Sequence, residues 1–249
     1  MTIHRMHGPR LLASFAILLL SAAGCRQAES AQSVAATTPP TIATTAIDAP
    51  KQLVVSNTAP DAAASPSARD TAMFAGGCFW SMERPFDHVP GVTSTTVGYA
   101  GGQTKNPTYE QVNTRTTGHT ETVLVEYDPA KVTYEKLLDV YWHNIDPITR
   151  DRQFCDRGPD YRTVIFTHGA AQNAAARSSR DALDRSGHFK VPVVTEIVAD
   201  APFWRGEEYH QHYADRNPER YEAYRRGCGR DARLRELWGN AAAPYVPAH

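Results

Sequence analysis

The periodic pattern of apolar positions is concentrated after residue 70. Short apolar or alternating runs predict five β-strands: Thr71–Ala75, Val92–Tyr99, Thr120–Tyr127, Thr163–Thr167 and Val193–Val198. Helical spacing predicts four helices: about Cys78–His88 with Pro85 inside it, Tyr134–His143, Ala170–Arg185 and Asp231–Trp238. Because strands and helices interleave around a hairpin, we expect an α+β fold, a two-layer α/β sandwich with a mixed sheet and a ferredoxin-like core. A long irregular C-terminal segment is expected after Pro202.

The first 25 residues have the order of an export signal. Arg5 and Arg10 precede the apolar run Leu11–Leu20, and small residues at 21–24 follow it. The apolar run is too short for a membrane-spanning helix, which needs about 20 residues. Residues 1–25 are therefore predicted to direct export.

Cys25 follows the small residues directly. Ala22-Ala23-Gly24-Cys25 resembles a bacterial lipobox, although that pattern favours leucine where Ala22 stands. The resemblance implies that Cys25 is lipidated and becomes the mature N-terminus. Plain secretion with cleavage nearby is the alternative. In either case the chain is expected to be exported to the periplasm, and the lipobox predicts a lipid anchor in the cell envelope.

Composition divides the rest of the chain into three parts. Residues 26–69 are rich in Ala, Thr, Ser and Pro and contain no aromatic residue, which predicts a flexible tether. Residues 70–240 form the predicted working domain, and residues 241–249 form a tail. A net charge of -1 and a pI near 6.8 exclude a basic nucleic-acid-binding surface. Four cysteines are too few for a disulfide-stapled miniprotein.

Cys78 is the first candidate for chemistry. It comes directly after Gly76-Gly77 at the start of a predicted helix, where free backbone N–H groups and the helix dipole favour the thiolate. Phe79 and Trp80 beside it could line the floor of an apolar pocket. The alternative is that Cys78 is a small buried hydrophobic residue and that both aromatic residues belong to the core.

Five sequence blocks carry a family resemblance. They occur in this order: Gly77-Cys78-Phe79-Trp80, Gly98-Tyr99-Ala100-Gly101-Gly102, Asn106-Pro107-Thr108-Tyr109, Gly118-His119-Thr120-Glu121 and Asp156-Arg157-Gly158-Pro159-Asp160-Tyr161-Arg162. Together they resemble the A type of the peptide methionine sulfoxide reductase family, over roughly residues 71–214. The resemblance implies reduction of methionine sulfoxide, the S epimer at sulfur, free or within proteins.

The resemblance also implies a role for each site residue. Cys78 attacks the sulfoxide sulfur, and Phe79 and Trp80 hold the S-methyl group by shape and apolarity. Glu121 protonates the leaving oxygen, because a carboxyl in a partly apolar site can stay protonated near neutral pH. The remaining contacts to the sulfoxide oxygen are assigned to Tyr109, Tyr161 and Asp156.

The cycle needs a second thiol. Attack leaves Cys78 as a sulfenic acid, which condenses readily with a thiol. We expect Cys228, in a glycine-flanked polar segment, to form that disulfide with Cys78. Cys155 departs from the family pattern before Asp156; it is predicted to be a buried spectator, with a resolving role as the alternative.

Regeneration is expected to need an external dithiol and no cofactor. The family's usual reductant implies an exported thioredoxin-like protein as partner, besides the sulfoxide substrates. His210 and His212 lack cysteine or carboxylate partners at metal-ligand spacing, so no metal is assigned. The protein is expected to be a monomer that contacts a membrane only through a lipid on Cys25, and it is not expected to bind nucleic acid.

Two other functions compete with this interpretation. A thiol peroxidase or disulfide oxidoreductase also uses an activated cysteine, but it normally shows Cys-x-x-Cys or a peroxidatic loop, and this chain has neither. A non-enzymatic envelope lipoprotein could bind methionine-rich clients through Phe79 and Trp80, in which case replacing Cys78 would leave its function intact.

Overall fold

A computed structural model of the protein describes residues 69–242. The predicted export signal with Cys25, the tether up to residue 68 and the tail from residue 243 lie outside the described residues. No helix within the described part is long and apolar enough to cross a membrane.

The described residues form eight strands and seven helices. The strands are Asp70–Gly76 (β1), Val92–Ala100 (β2), Thr120–Tyr127 (β3), Arg152–Gln153 (β4), Asp156–Arg157 (β5), Thr163–Thr167 (β6), Glu196–Ala199 (β7) and Phe203–Arg205 (β8). The helices are Phe79–Asp87 (α1), Tyr109–Asn113 (α2), Tyr134–Trp142 (α3), Gly169–Arg185 (α4), Tyr213–Arg216 (α5), Pro218–Gly227 (α6) and Arg230–Trp238 (α7). Short 3-10 turns lie at Pro159–Tyr161, Glu208–His210 and Gly239–Ala242.

The main sheet has six strands in the order β7-β6-β1-β3-β2-β8. Strands β6 and β7 are parallel, and the other neighbouring pairs are antiparallel. Within it, β6-β1-β3-β2 with α1 and α3 as connections reproduces the β-α-β-β-α-β arrangement of a ferredoxin-like core. The predicted α+β sandwich with a mixed sheet is confirmed. Strands β4 and β5 form a separate two-stranded ribbon.

Alternation in β1 sends its side chains to two faces. Phe74 enters the core cluster that α1 and α3 cover, whereas Met73 and Ala75 belong to a smaller cluster with Val164 and Phe166. Phe74 is fully buried and stacks on three aromatic rings of the helix layer: Phe86 at 5.0 Å, Tyr141 at 5.1 Å and Tyr134 at 6.2 Å between ring centroids. These rings hold the helix layer on the sheet.

Strand β7 is shorter than the sequence predicts. It begins at Glu196 and not at Val193, because the preceding amides bond outside the sheet. The Val193 N–H donates to the Asp184 carboxylate at 2.8 Å, and the Val194 N–H donates to the Pro147 carbonyl at 2.8 Å. The mainly apolar segment Val193–Val198 therefore predicted more strand than the backbone partners allow.

The segment after Pro202 is more regular than expected. Besides the predicted last helix it contains β8, α5 and α6. Strand β8 pairs with the edge of β2, where Gly98 faces Arg205. A Cβ on Gly98 would collide with the Trp204 carbonyl, so only glycine permits this approach. Helix α6 buries Tyr221 and Arg225 and leads to Cys228.

Truncation of Phe74 tests the aromatic stack. Phe74→Ala is expected to lower the free energy of unfolding by about 3–5 kcal/mol, because it removes a fully buried ring and leaves a cavity. Urea unfolding followed by circular dichroism measures this change. Val191→Ala, at a half-exposed side chain, is the control and should change stability by less than about 0.5 kcal/mol. Equal effects of the two substitutions would contradict the assignment of the stack as core.

Candidate active site

The turn between β1 and α1 sets the position of Cys78. Gly77 has a φ of +85°, and a Cβ there would lie 2.5 Å from the Gln153 Cβ. A Cβ on Gly76 would lie 2.5 Å from the Ile145 side chain. Both glycines are therefore required by packing, and the turn delivers Cys78 as the N-cap residue of α1.

The sulfur of Cys78 is buried, with the residue 7% exposed, and it is the free cysteine of the described chain. Burial raises the pKa of the thiol, and the nearby carboxyls of Glu121 and Asp156 raise it further. The Tyr224 hydroxyl and the Trp80 backbone N–H lie within hydrogen-bonding reach of the sulfur and act in the opposite direction. The helix start favours the thiolate, as the sequence predicts, and burial of the sulfur acts in the opposite direction.

Glu121 lies on β3 directly below the start of α1. Its Oε2 accepts a hydrogen bond from the Phe79 backbone N–H at 2.9 Å, and the residue is only 4% exposed. Burial raises the pKa of this carboxyl to about 8, against the opposing effect of the Phe79 N–H, and the charges of Asp156 and Asp160 add to the rise. The side chain is therefore mainly protonated at neutral pH and can donate a proton.

Two tyrosines stand around Glu121. Tyr109 begins α2, and its backbone N–H donates to the Glu207 carboxylate at 2.8 Å. Tyr161 ends the 3-10 turn that follows β5. Burial raises the pKa of both phenols, and the carboxyl of Glu121 adds to the rise in each case. Cys78 also raises the pKa of Tyr109, so the Tyr109 hydroxyl is near the sulfur as well.

Asp156 connects the sulfur to the C-terminal segment. Its Oδ2 accepts a hydrogen bond from the Tyr224 hydroxyl at 2.6 Å, and its carboxylate also accepts from the Cys78 backbone N–H. Burial raises the pKa of this carboxyl, while the Tyr224 hydroxyl and the Arg230 charge oppose the rise. Asp156 also lies beside the two other cysteines of the domain: the Cys155 sulfur is 3.6 Å from Oδ1 and the Cys228 sulfur is 4.0 Å from Oδ2.

Phe79 and Trp80 belong to an aromatic cluster next to the sulfur. Phe79 is buried against Tyr99, with ring centroids 6.0 Å apart. Trp80 is half-buried and stacks on Tyr213 at 3.8 Å, and its indole N–H donates to Nδ1 of His210 at 3.1 Å. Tyr213 thus packs on the face of the indole and His210 binds its edge. Phe79 and Trp80 together form a rigid apolar wall beside Cys78.

The structure corrects the prediction for Cys155. Cys155 is exposed and forms a disulfide with Cys228, with Cα atoms 4.9 Å apart, so the expectation of a buried spectator was wrong. In this structure the partner of Cys228 is Cys155, and Cys78 remains a free thiol. Adjacency to Asp156 placed Cys155 near the site, but no local pattern showed that Cys228, 73 positions later, would reach it.

The two histidines singled out in the sequence have different surroundings. His210 is buried among the aromatic rings, where burial lowers the pKa of its imidazole. His212 faces two carboxylates of α1, with Nδ1 3.5 Å from Glu83 and 3.7 Å from Asp87. Sequence spacing had suggested no carboxylate partner, because Glu83 and Asp87 lie more than 120 positions upstream. The absence of a metal stays a prediction.

Sequence reasoning missed three residues at the site. Tyr224 reaches both Asp156 and the Cys78 sulfur from α6. Glu207 holds the Tyr109 backbone and accepts from the Tyr99 hydroxyl at 2.7 Å. Arg230, at the start of α7, lies beneath the Gly76 carbonyl. The aromatic and polar composition after Pro202 was the one available signal, and it could not say which side chain turns inward.

The Cys78 thiol is buried beside a protonated carboxyl and an apolar wall, and the disulfide-bonded pair Cys155–Cys228 lies close to Asp156. These features define the site of a thiol-dependent oxidoreductase. The family model of peptide methionine sulfoxide reductase matches residues 70–242. The chain belongs to the peptide methionine sulfoxide reductase family.

Individual relatives cover the same region. The chain is 50% identical over 171 residues to peptide methionine sulfoxide reductase MsrA of Bacillus licheniformis, covering 69% of this chain and 94% of the relative. It is 52% identical over 170 residues to the enzyme of the same name from Halalkalibacterium halodurans, covering 68% and 97%.

Solved structures agree with this assignment. Methionine sulfoxide reductase A of Corynebacterium diphtheriae matches with a TM-score of 0.56 and 35% identity, covering 62% of this chain and 77% of that chain. Reduced Mxr1 from Saccharomyces cerevisiae matches with a TM-score of 0.57 and 27% identity, covering 62% and 89%. The activity is therefore peptide-methionine (S)-S-oxide reduction by thiols, and the peroxidase and non-enzymatic lipoprotein alternatives are rejected.

The raised pKa of Glu121 predicts a pH-dependent stability. A carboxyl with a pKa near 4.5 when exposed and about 8 when buried stabilises the fold below pH 4.5, and this contribution is lost as the pH rises through about 8. Glu121→Gln should therefore weaken the fall in the free energy of unfolding between pH 5 and pH 8. Urea titrations at both pH values measure it.

Glu135→Gln is the matched control for this prediction, because that side chain is exposed. It should leave the pH dependence of stability as it is in the wild type. A Glu121→Gln protein whose stability falls as steeply as that of the wild type would contradict the buried protonated carboxyl.

Proposed function

We propose that Cys78 attacks the sulfur of methionine S-sulfoxide while the Glu121 carboxyl transfers its proton to the departing oxygen. An S–S bond forms between Cys78 and the methionine sulfur as the S–O bond breaks, and the protonated oxygen leaves as hydroxide. Hydroxide then attacks the Cys78 sulfur and breaks the S–S bond, which gives methionine and a Cys78 sulfenic acid, so the sulfoxide is reduced by two electrons as the cysteine sulfur is oxidised. The observation that carries the proposal is the buried, mainly protonated Glu121 on β3, whose carboxyl accepts a hydrogen bond from the Phe79 N–H directly after Cys78. A donor with a pKa near the working pH is the most effective general acid.

The neighbouring side chains orient the substrate. The wall of Phe79 and Trp80 suits the S-methyl group, which offers only apolar surface. The hydroxyls of Tyr109 and Tyr161, on the polar side around Glu121, suit the sulfoxide oxygen. Asp156 acts from beside Cys78, where it accepts the Tyr224 O–H and so holds the tyrosine oxygen near the sulfur.

Three cysteines complete the cycle. The Cys228 thiol attacks the Cys78 sulfenic acid, forming a Cys78–Cys228 disulfide and releasing water. The Cys155 thiol then attacks Cys228 and frees Cys78, which leaves the Cys155–Cys228 bridge. The pairing of Cys228 with Cys155, both beside Asp156, favours this order.

An external thioredoxin-like dithiol then reduces the Cys155–Cys228 disulfide and is itself oxidised to a disulfide. Exposure of Cys155 supports this step, because the bridge can be reached without opening the core around Cys78. No prosthetic group takes part.

We further propose that the enzyme works outside the cytoplasm, as a monomer, in the periplasm and anchored to the envelope by a lipid on Cys25. The order of charge, apolar run and small residues in the first 25 positions supports export. Its reductant would then be an exported thioredoxin-like protein, and its substrates would be oxidised proteins or free methionine sulfoxide in that compartment.

Cysteine substitutions test the order of thiol exchange. Fully reduced protein is given one equivalent of methionine S-sulfoxide without reductant, and the bridges are identified by mass spectrometry. Wild type should end with Cys155–Cys228, Cys155→Ser should accumulate Cys78–Cys228, and Cys228→Ser should retain the sulfenic acid. Cys78→Ser should form no methionine. Absence of a Cys78–Cys228 bridge in the Cys155→Ser protein would reject the order.

Metabolic labelling tests the lipid anchor. The full chain, expressed in a bacterium with two membranes, should incorporate labelled palmitate and fractionate with the envelope. Cys25→Ala should lose the label, whereas Cys155→Ser, the matched control, should keep it. An unlabelled wild-type protein in the soluble periplasmic extract would mean plain export.

A further inference from the structure

Arg230 is a buried cation beneath the active-site turn. It is the first residue of α7 and is only 1% exposed. Its Nη2 donates to the carbonyl oxygens of Gly76 at 3.2 Å and of Asn144 at 2.8 Å. The guanidinium carbon lies 4.3 Å from the centroid of the Phe154 ring. The side chain therefore runs from the C-terminal segment into the space below Cys78.

The charge of Arg230 has no carboxylate at ion-pair distance within residues 69–242, unlike its neighbours. Arg225 pairs with Asp231, and Arg233 pairs with Asp146 at 2.9 Å. The Nε atom of Arg230 also has no hydrogen-bond partner in the described chain. Burying a charge without a counterion is costly, so a negative group that forms nearby would stabilise the buried guanidinium.

The turn that carries Cys78 lies against this guanidinium. Nη1 of Arg230 is 3.7 Å from the position that a Cβ on Gly77 would occupy, one residue before Cys78. Burial lowers the pKa of Arg230, and the charge of Arg225 lowers it further. Interaction with Cys78 raises the pKa of Arg230.

The other titratable groups facing this region are phenols and carboxyls. Tyr224 and Tyr221 oppose the lowering of the Arg230 pKa, and Arg230 in turn opposes the rise of the Asp156 pKa. Glu121 faces Cys78 from β3 and is mainly neutral at pH 7. Arg230 is thus a buried cation beside the turn that carries Cys78, and the mechanism has not yet used it.

We propose that Arg230 is a positioning residue for the reduction, whose guanidinium supplies the countercharge for the Cys78 thiolate when that anion forms. This inference rests on the proposed attack by Cys78. Because Arg230 follows Cys228 by two positions, the segment with the resolving thiol also carries the charge that prepares the attacking one.

Alkylation of Cys78 tests the proposal in the full chain with its Cys155–Cys228 disulfide intact. Wild type, Arg230→Gln, Arg230→Lys and Arg233→Gln are treated with neutral iodoacetamide or anionic iodoacetate from pH 6 to pH 11. Mass spectrometry of the Cys78 peptide gives each rate. Arg233→Gln is the matched control, because it removes the same charge from the same helix.

The ratio of the iodoacetate rate to the iodoacetamide rate is the decisive readout, because the two reagents are similar in size and access changes both rates alike. Arg230→Gln should lower this ratio about fivefold and raise the pH midpoint by about one unit. Arg230→Lys should keep the ratio within about twofold of wild type, and Arg233→Gln should leave it unchanged. An unchanged ratio in Arg230→Gln overturns the proposal.

Two additions keep the test conclusive. Circular dichroism checks each fold, and Arg230→Met, whose stem fills the space over Phe154, replaces the glutamine variant if that variant does not fold. Single-turnover sulfoxide reduction is measured on the same proteins. A wild type that is alkylated at Cys78 but does not reduce sulfoxide would refute the proposed function and leave the alkylation result on Arg230 standing.

Discussion

The removal of Cys78 and Glu121 from water is the constraint on which the site depends. The same burial keeps the carboxyl protonated near neutral pH and makes the thiolate expensive to form. In the proposed reaction, the protonated carboxyl provides a proton for the leaving oxygen. The free-energy cost of forming the thiolate must be offset by polar groups at the sulfur. The Trp80 backbone N–H and the Tyr224 hydroxyl both act to lower the pKa of the thiol. The site thus combines a carboxyl that is already protonated with a thiol whose deprotonation requires nearby polar or charged groups.

Polar and charged groups near Cys78 come from the C-terminal segment. Helix α6 delivers Tyr224, the next turn delivers Cys228, and α7 begins with Arg230. The disulfide to Cys155 attaches this segment to the loop that carries Asp156. One stretch of chain therefore supplies the hydroxyl near the sulfur, a cysteine that is bonded to Cys155 and a buried cation.

Local patterns predicted the framework well. Strands β3 and β6 have the bounds that the sequence predicts, and the helices that follow them, α3 and α4, differ from the prediction by one residue at one end. The motifs also named Cys78, Glu121, Tyr109 and Tyr161, and the fold brings these residues together. Errors arose where backbone or sulfur atoms have distant partners: Val194 bonds Pro147 outside the sheet, and Cys155 bonds Cys228.

The sequence by itself determined the order of the four core strands and of the helices α1 and α3 between them, the glycines that permit the turn before Cys78 and the family of reductases, because these depend on short-range geometry and on motifs. Tertiary structure alone decided how deeply Cys78 and Glu121 are buried, the disulfide partner of Cys228 and the buried position of Arg230. Burial and charge at a side chain depend on groups from distant parts of the chain, so a linear pattern does not contain them.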